Sequence, residues 1–236
     1  MSDGATVRVL LADDHTAVRA GLRAVLGTAG TDGGTAVEVV GEAADGATAL
    51  AQARVLRPDV VVMDLRMPGT DGVAATATVV AEGLAEVLVL TTFDDDELVL
   101  AALRAGAAGF LLKTADAPTL LDAVRRVAAG EGVVAPEVTR TLLAALDRAP
   151  AAAPAGPDLS ALVGRLTDRE VDVLRHLGHG RSNADLATAL GISPLTAKTH
   201  VSRLLGKLGL TSRTQAALLA RDAGLTGPPP PGTLGA

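Results

Sequence analysis

Over its first 130 residues the chain alternates short apolar runs with longer stretches in which apolar positions return every three or four residues. A run of four to eight aliphatic or β-branched residues suits a buried strand, and the longer period suits a helix laid across it. Strands are predicted at Val7–Ala12, Val37–Gly41, Val60–Asp64, Val87–Thr91 and Gly109–Leu112, with helices near 16–29, 46–57, 71–82, 95–106 and 117–129. In the fourth helix Leu98, Ala101, Ala102 and Ala105 recur at helical spacing before Gly106 ends it. This alternation predicts an α/β domain over residues 6–130, a five-stranded doubly wound parallel sheet of flavodoxin-like order.

The pattern then changes. A weaker helix near 136–148 leads into the Pro- and Ala-rich stretch Ala149–Pro157, so residues 131–161 read as a linker. Thr167 followed by Glu170 has the spacing of a capping box and opens a helix through Leu177. Ser182 and Asn183 begin the next helix, Ala184–Leu190, which Gly191 stops. Ser193 and Pro194 then supply a new cap and a first-turn proline. Two helices joined by a tight turn, about 182–201, have helix-turn-helix spacing within a small all-α, four-helix domain at 162–226. Residues 227–236, with four consecutive prolines, are expected to form a disordered tail.

Composition removes several classes of chemistry. The 236 residues contain no cysteine, so disulfides, thiolate metal sites and cysteine nucleophiles are excluded. Two Phe and no Trp or Tyr leave no stacking platform for single-stranded nucleic acid. The start lacks the pattern of a secretory leader and no apolar run approaches a membrane span, so a cytoplasmic protein without a membrane partner is expected. The net charge of −6 is unevenly held. Residues 1–161 carry 12 basic and 22 acidic residues, whereas residues 162–236 carry 9 and 5, a net of +4 that directs a polyanion to the C-terminal part.

In an open parallel sheet, ligands bind beyond the carboxyl ends of the strands. The polar residues there are Asp13 and Asp14 after the first strand, Asp64 on the third, Thr91 on the fourth and Lys113 after the fifth. Converging carboxylates call for a hard divalent cation with oxygen ligands, magnesium (Mg2+) above others. A hydroxyl and an ammonium beside it suit a phosphoryl group, and a carboxylate can itself accept one. Taken singly, Asp13 or Asp14 fits a helix cap, Lys113 a solvated loop charge and Thr91 an ordinary strand end.

The stretch from Val7 to about Gly130 resembles the receiver domain of two-component response regulators. The resemblance rests on Leu11-Ala12-Asp13-Asp14-His15, Met63-Asp64-Leu65-Arg66-Met67-Pro68-Gly69-Thr70-Asp71-Gly72, Leu90-Thr91-Thr92 and Phe110-Leu111-Leu112-Lys113. It implies that Asp64 accepts a phosphoryl group from a sensor histidine kinase. Asp14, Asp64 and the main-chain carbonyl of Arg66 would bind magnesium, with Asp13 acting through water. Lys113 and Thr91 would contact the phosphate, and Phe110 would turn inward. Two departures are Thr114 after the lysine and the longer loop Thr31-Asp32-Gly33-Gly34.

In the third helix of the C-terminal domain, Ala197, Val201, Leu204 and Leu208 share one face, leaving Lys198, Thr199, Ser202 and Arg203 on the other. Such side chains reach base edges or phosphates of duplex DNA. A plain helical bundle with a solvated charged face has the same outline. The stretch Leu166–Ala220 resembles the DNA-binding domain of the LuxR/NarL group, through Leu166-Thr167-Asp168-Arg169-Glu170-Val171, Gly180-Arg181-Ser182-Asn183, Thr196-Ala197-Lys198-Thr199-His200-Val201 and Lys207-Leu208-Gly209. By resemblance, Lys198, Thr199 and Ser202 would face the major groove, Arg203, Lys207 and Asn183 would lie nearer phosphates, and the last helix, around Gln215–Ala220, would serve dimerisation. His200 is read as helix surface, and no zinc is expected.

The order of domains resembles the NarL/FixJ response regulators. It implies a transcriptional regulator and no enzyme, partnered by promoter DNA, a sensor histidine kinase and, once phosphorylated, a second copy of itself. The alternatives are a DNA-binding regulator independent of phosphorylation, whose receiver serves protein interaction, and a phosphohydrolase. The latter is disfavoured because Asp64-Leu65-Arg66 lacks a second carboxylate two residues on.

Overall fold

The computed structural model describes residues 6–30, 34–69, 71–92, 96–134 and 163–226. The chain divides into two units, residues 1–151 and 152–236. The helix expected near 136–148, the linker stretch Ala149–Pro157, the loop residues Thr31–Gly33 and the tail 227–236 lie outside the described residues.

The first unit is a parallel sheet in the order β2-β1-β3-β4-β5-β6. Its strands are β1 (Val7–Ala12), β2 (Val37–Ala43), β3 (Val60–Asp64), β4 (Glu86–Thr91), β5 (Gly109–Leu112) and β6 (Val133–Val134). The helices that cover it are α1 (Thr16–Leu26), α2 (Gly46–Leu56), α3 (Gly72–Ala81), α4 (Asp96–Arg104) and α5 (Ala117–Ala128). All five residues of β3 and all four of β5 are buried, as expected of strands covered on both faces. Val9, Leu11, Val60, Val62, Leu88, Leu90 and Leu111 form one core with Leu26 of α1 and Leu120, Val124 and Val127 of α5.

Among the described residues the sheet has six strands where the periodicity predicts five. The added strand, β6, is two residues long and pairs with β5 through Gly109↔Val133 and Phe110↔Val134. Gly130, at φ 77°, turns the chain back after α5 and brings Val133 alongside. Two residues are too few to leave a recognisable period in sequence.

The second unit contains α6 (Asp168–Gly178), α7 (Asn183–Leu190), α8 (Pro194–Leu208) and α9 (Arg213–Asp222). Thr167 and Glu170 make both hydrogen bonds of the capping box, and Ser182 with Asp185 makes a second. The Ser193 hydroxyl accepts from Thr196 N and Pro194 fills the first turn of α8. Gly191 closes α7 in the left-handed region at φ 64°, where a side chain would be strained, and so sets the tight turn into α8. Ala197, Val201, Leu204 and Leu208 are buried against Leu174, Leu177 and Leu186, as their spacing predicts.

Candidate functional site

Strand register assembles the acidic site. Ala12 is the partner of Met63, Asp64 of Leu90, and Thr91 of Leu112. Asp13, Asp64, Thr91 and Lys113 therefore fall at, or one position beyond, paired residues on four adjacent strands, all at the carboxyl edge. Gly72 lets the chain pass close behind Asp64, because a Cβ there would lie 2.0 Å from the Asp64 carbonyl oxygen. Gly72 N donates to Leu65 O and Asp71 caps α3 through Ala74 N, fixing the loop.

Lys113 Nζ bridges two carboxylates, donating to Asp64 Oδ2 at 2.6 Å and to Asp13 Oδ2 at 2.8 Å. It is thus no solvated loop charge. Nor do the acids cap α1: its N-cap residue is His15, without a side-chain cap bond, and Asp13 Oδ1 instead accepts from His15 N. Asp13 and Asp64 are 2% and 4% exposed. Burial pushes the Asp64 carboxyl above its ordinary value, against the pull of the Lys113 hydrogen bond and charge. The same burial opposes the Lys113 ammonium, but Asp13 and Asp64 together outweigh it and hold the group above its ordinary value.

Asp14 differs from its neighbours. Its Oδ1 is buried without a hydrogen bond, although His15 Nδ1 lies 2.6 Å away. Asp13, Asp14, His15 and Asp64 each present a ligand atom within 4.8 Å of the others. Three carboxylates face one ammonium and one imidazole here, and converging carboxylate oxygens are the donor set a hard divalent cation takes. His15 was absent from the site expected from sequence, and only its place directly after the acid pair hinted at it.

Thr91 is 2% exposed, and its hydroxyl donates to the Thr92 carbonyl at 3.0 Å. Phe110, expected to turn inward on phosphorylation, is fully buried.

The second constellation lies on α8. Lys198, Thr199, Ser202, Arg203 and Lys207 are all exposed. The side chains of Lys198, Ser202 and Arg203 make no hydrogen bond or ion pair among the described residues, so their polar groups stand open to a ligand. Lys207, expected near phosphates, instead donates to Glu170 Oε2 at 2.6 Å. Asn183, expected there too, is 7% exposed, and its Oδ1 accepts from Arg213 Nη1 at 2.7 Å. Arg213 also donates to the Arg181 carbonyl, so this buried guanidinium braces the start of α7. Nothing in the sequence distinguishes Arg213 from a surface arginine at a helix start.

A parallel sheet with an aspartate, an acid pair, a threonine and a lysine at its carboxyl edge defines a receiver, and it is followed here by a helix-turn-helix unit. Residues 9–125 match the response regulator receiver domain family, and residues 164–220 match the luxR family of bacterial regulatory proteins. Response regulator protein VraR of Staphylococcus aureus strain COL is 41% identical over 217 residues, 91% of this chain and 96% of that protein. The crystal structure of response regulator ChrA, from a heme-sensing two-component system, is 39% identical, covering 93% of this chain and 98% of that one at a TM-score of 0.51. A LuxR-family two-component response regulator from Aurantimonas sp. SI85-9A1 is 33% identical, covering 59% and 97% at a TM-score of 0.53. This chain belongs to the response regulators that join a receiver to a LuxR-type DNA-binding domain, a family of transcriptional regulators and not an enzyme class. Among the described residues, no helix is long and apolar enough to cross a membrane.

Proposed function

We propose that Asp64 is the phosphoryl acceptor of this regulator and that its modification controls dimerisation and promoter binding through α8. The observation that carries this is the buried Asp64 carboxylate, held by Lys113 beside the unsatisfied oxygen of Asp14. A sensor histidine kinase is the donor. An Asp64 oxygen attacks phosphorus, so a P–O bond forms as the P–N bond to the kinase imidazole breaks. Asp14, Asp64 and the Arg66 carbonyl would hold magnesium, with Asp13 at one remove, and its positive charge would offset that of the phosphoryl oxygens. Lys113 exchanges a carboxylate partner for a phosphoryl oxygen. Thr91 turns its hydroxyl from the Thr92 carbonyl towards the same group. The acyl phosphate, carrying about −1.5 to −2 where the carboxylate carried about −1, then biases two packings of this edge of the sheet.

On the DNA, Lys198, Thr199 and Ser202 face bases, while Arg203 lies nearer phosphates. Asn183 serves by fixing α7, and Lys207 reaches phosphate only when released by Glu170. Dimerisation places two such modules on two half-sites, and the second binds at a raised effective concentration.

Incubation with acetyl phosphate and magnesium, read by intact mass, is the test. Wild type is expected to gain one phosphoryl group and to bind promoter duplex more tightly; Asp64→Asn is expected to do neither. A second reading is DNA binding independent of phosphorylation. Equal duplex affinity with and without the adduct would select it.

A further inference from the structure

We infer that Leu195 is a sequence-reading residue of α8, recognising the C5-methyl group of thymine in the major groove. The inference rests on the DNA-binding assignment and adds a specificity to it. Among the described residues, two large hydrophobic side chains are left largely exposed, Val55 at 81% and Leu195 at 75%. Val55 stands on a covering helix of the receiver, whereas Leu195 stands in the first turn of the helix that presents the polar face described above. Residues near the N-terminus of a helix seated in the major groove are those that reach base edges.

Its direction follows from helical geometry. At about 100° per residue, Thr199 lies about 40° and Ser202 about 20° from Leu195 around the axis. Leu195, Lys198, Thr199 and Ser202 thus follow the spacing of a single helical face. Ala197, Val201, Leu204 and Leu208, all buried, occupy the opposite side. Leu195 contributes nothing to the core, and it sits at the centre of the outward face.

The chemistry at that centre is apolar. Thr199 donates its hydroxyl to the Leu195 carbonyl at 3.0 Å, so its proton is committed within the helix. What Thr199 retains for a ligand is a methyl group and oxygen lone pairs. Leucine and a threonine methyl side by side, flanked by the cations of Lys198 and Arg203, form an apolar spot inside a phosphate-seeking surface. Duplex DNA offers one strongly apolar group in the major groove, the thymine methyl, and contact with it distinguishes thymine from cytosine without a hydrogen bond.

The test uses the full chain, treated with acetyl phosphate and magnesium, to enrich duplexes from a randomised library. Each thymine of the enriched site is then replaced by uracil, which removes only the methyl group. Wild type is expected to lose roughly four-fold in affinity at one thymine per half-site, the size of one methyl leaving apolar contact. Leu195→Ala should fold normally, since the side chain is exposed and alanine favours a helix, and should be indifferent to that replacement. Leu195→Met, which keeps an apolar side chain of similar reach, should retain the sensitivity. A Leu195→Ala protein that still senses the methyl, or a wild type that senses none at an enriched site, overturns the inference alone. Failure of wild type to enrich any duplex overturns the DNA-reading assignment and this inference with it.

Discussion

Lys207 Nζ lies 2.6 Å from Glu170 Oε2, tying the last turn of α8 to the first turn of α6. Glu170 also accepts from Thr167 N, so one carboxylate serves a helix cap and a cation on another helix. The Lys207 hydrogen bond and the Thr167 amide bring the Glu170 carboxyl down to about 2 from its ordinary 4.5. A lowered carboxyl contributes stability that is present above its unfolded value and lost as pH falls through its folded one. That contribution is therefore intact at neutral pH and disappears between 4.5 and about 2.

Glu170→Gln is expected to release Lys207 while glutamine preserves much of the cap. Duplex affinity should rise a few-fold at low salt, and the dependence of log K on log salt should steepen by about 0.9, one further phosphate contact. A salt titration of binding by fluorescence anisotropy measures both. An unchanged slope would mean that Lys207 does not reach DNA even when released.

Asp64→Asn should raise the thermal stability of the metal-free protein at neutral pH. The Asp64 carboxyl is raised, chiefly by burial, so its ionised form weighs against folding above the folded pKa. That penalty is relieved as pH falls through the folded pKa and is gone below the unfolded one. The advantage of the variant should accordingly shrink as pH falls through the raised folded value and be gone below the ordinary one of 3.8. Magnesium should reverse the order by stabilising wild type more than the variant. Differential scanning calorimetry with chelator and with magnesium gives the four values required.

Lys113→Met leaves Asp13 and Asp64 buried without their shared cation. The expected loss in chelator is about 1–3 kcal/mol, below the roughly 3–5 of a fully buried pair, since the Lys113 side chain is 20% exposed. Divalent cation should recover part of it by neutralising the same carboxylates. Urea denaturation with and without magnesium reads the recovery; the absence of any would argue against a cation at this edge.

Two glycine substitutions should have opposite signs. Gly72→Ala sets a Cβ 2.0 Å from the Asp64 carbonyl oxygen and should cost about 2–3 kcal/mol together with phosphoryl acceptance. Gly206→Ala, in the last turn of α8, meets nothing within 4 Å and should gain about 0.5 kcal/mol through helix propensity. Thermal melts of both variants distinguish local space from glycine content as the cause.

These relationships show where sequence is informative about the molecule. Asp13, Asp64, Thr91 and Lys113 were legible because each stands at the end of an apolar run, and parallel strands must align such ends. Thr167, Ser182 and Ser193 were legible because a cap depends on residues three apart. The Lys207 to Glu170 pair spans 37 positions, and no local rule links them. Asn183 looked like a polar surface residue beside a cap, and its burial follows from Arg213, 30 residues later. Phe110 was known to occupy a strand, but which of two packings its ring adopts depends on the side chains around it. The strand β6 lacked the length to announce itself.

The strand register also makes the acidic site a reporter of correct folding. Its aspartates, threonine and lysine come from β1, β3, β4 and β5, each aligned with its neighbour by main-chain pairing. Slippage of one strand by a single residue would carry its site residue about 3.3 Å along the strand and turn it to the opposite face of the sheet. A chain with one strand out of register thus has no assembled carboxylate edge, and a kinase acting at Asp64, as proposed, would act only where four strands have found their proper partners. On the role proposed for Asp64, phosphoryl acceptance and native topology would then be a single property.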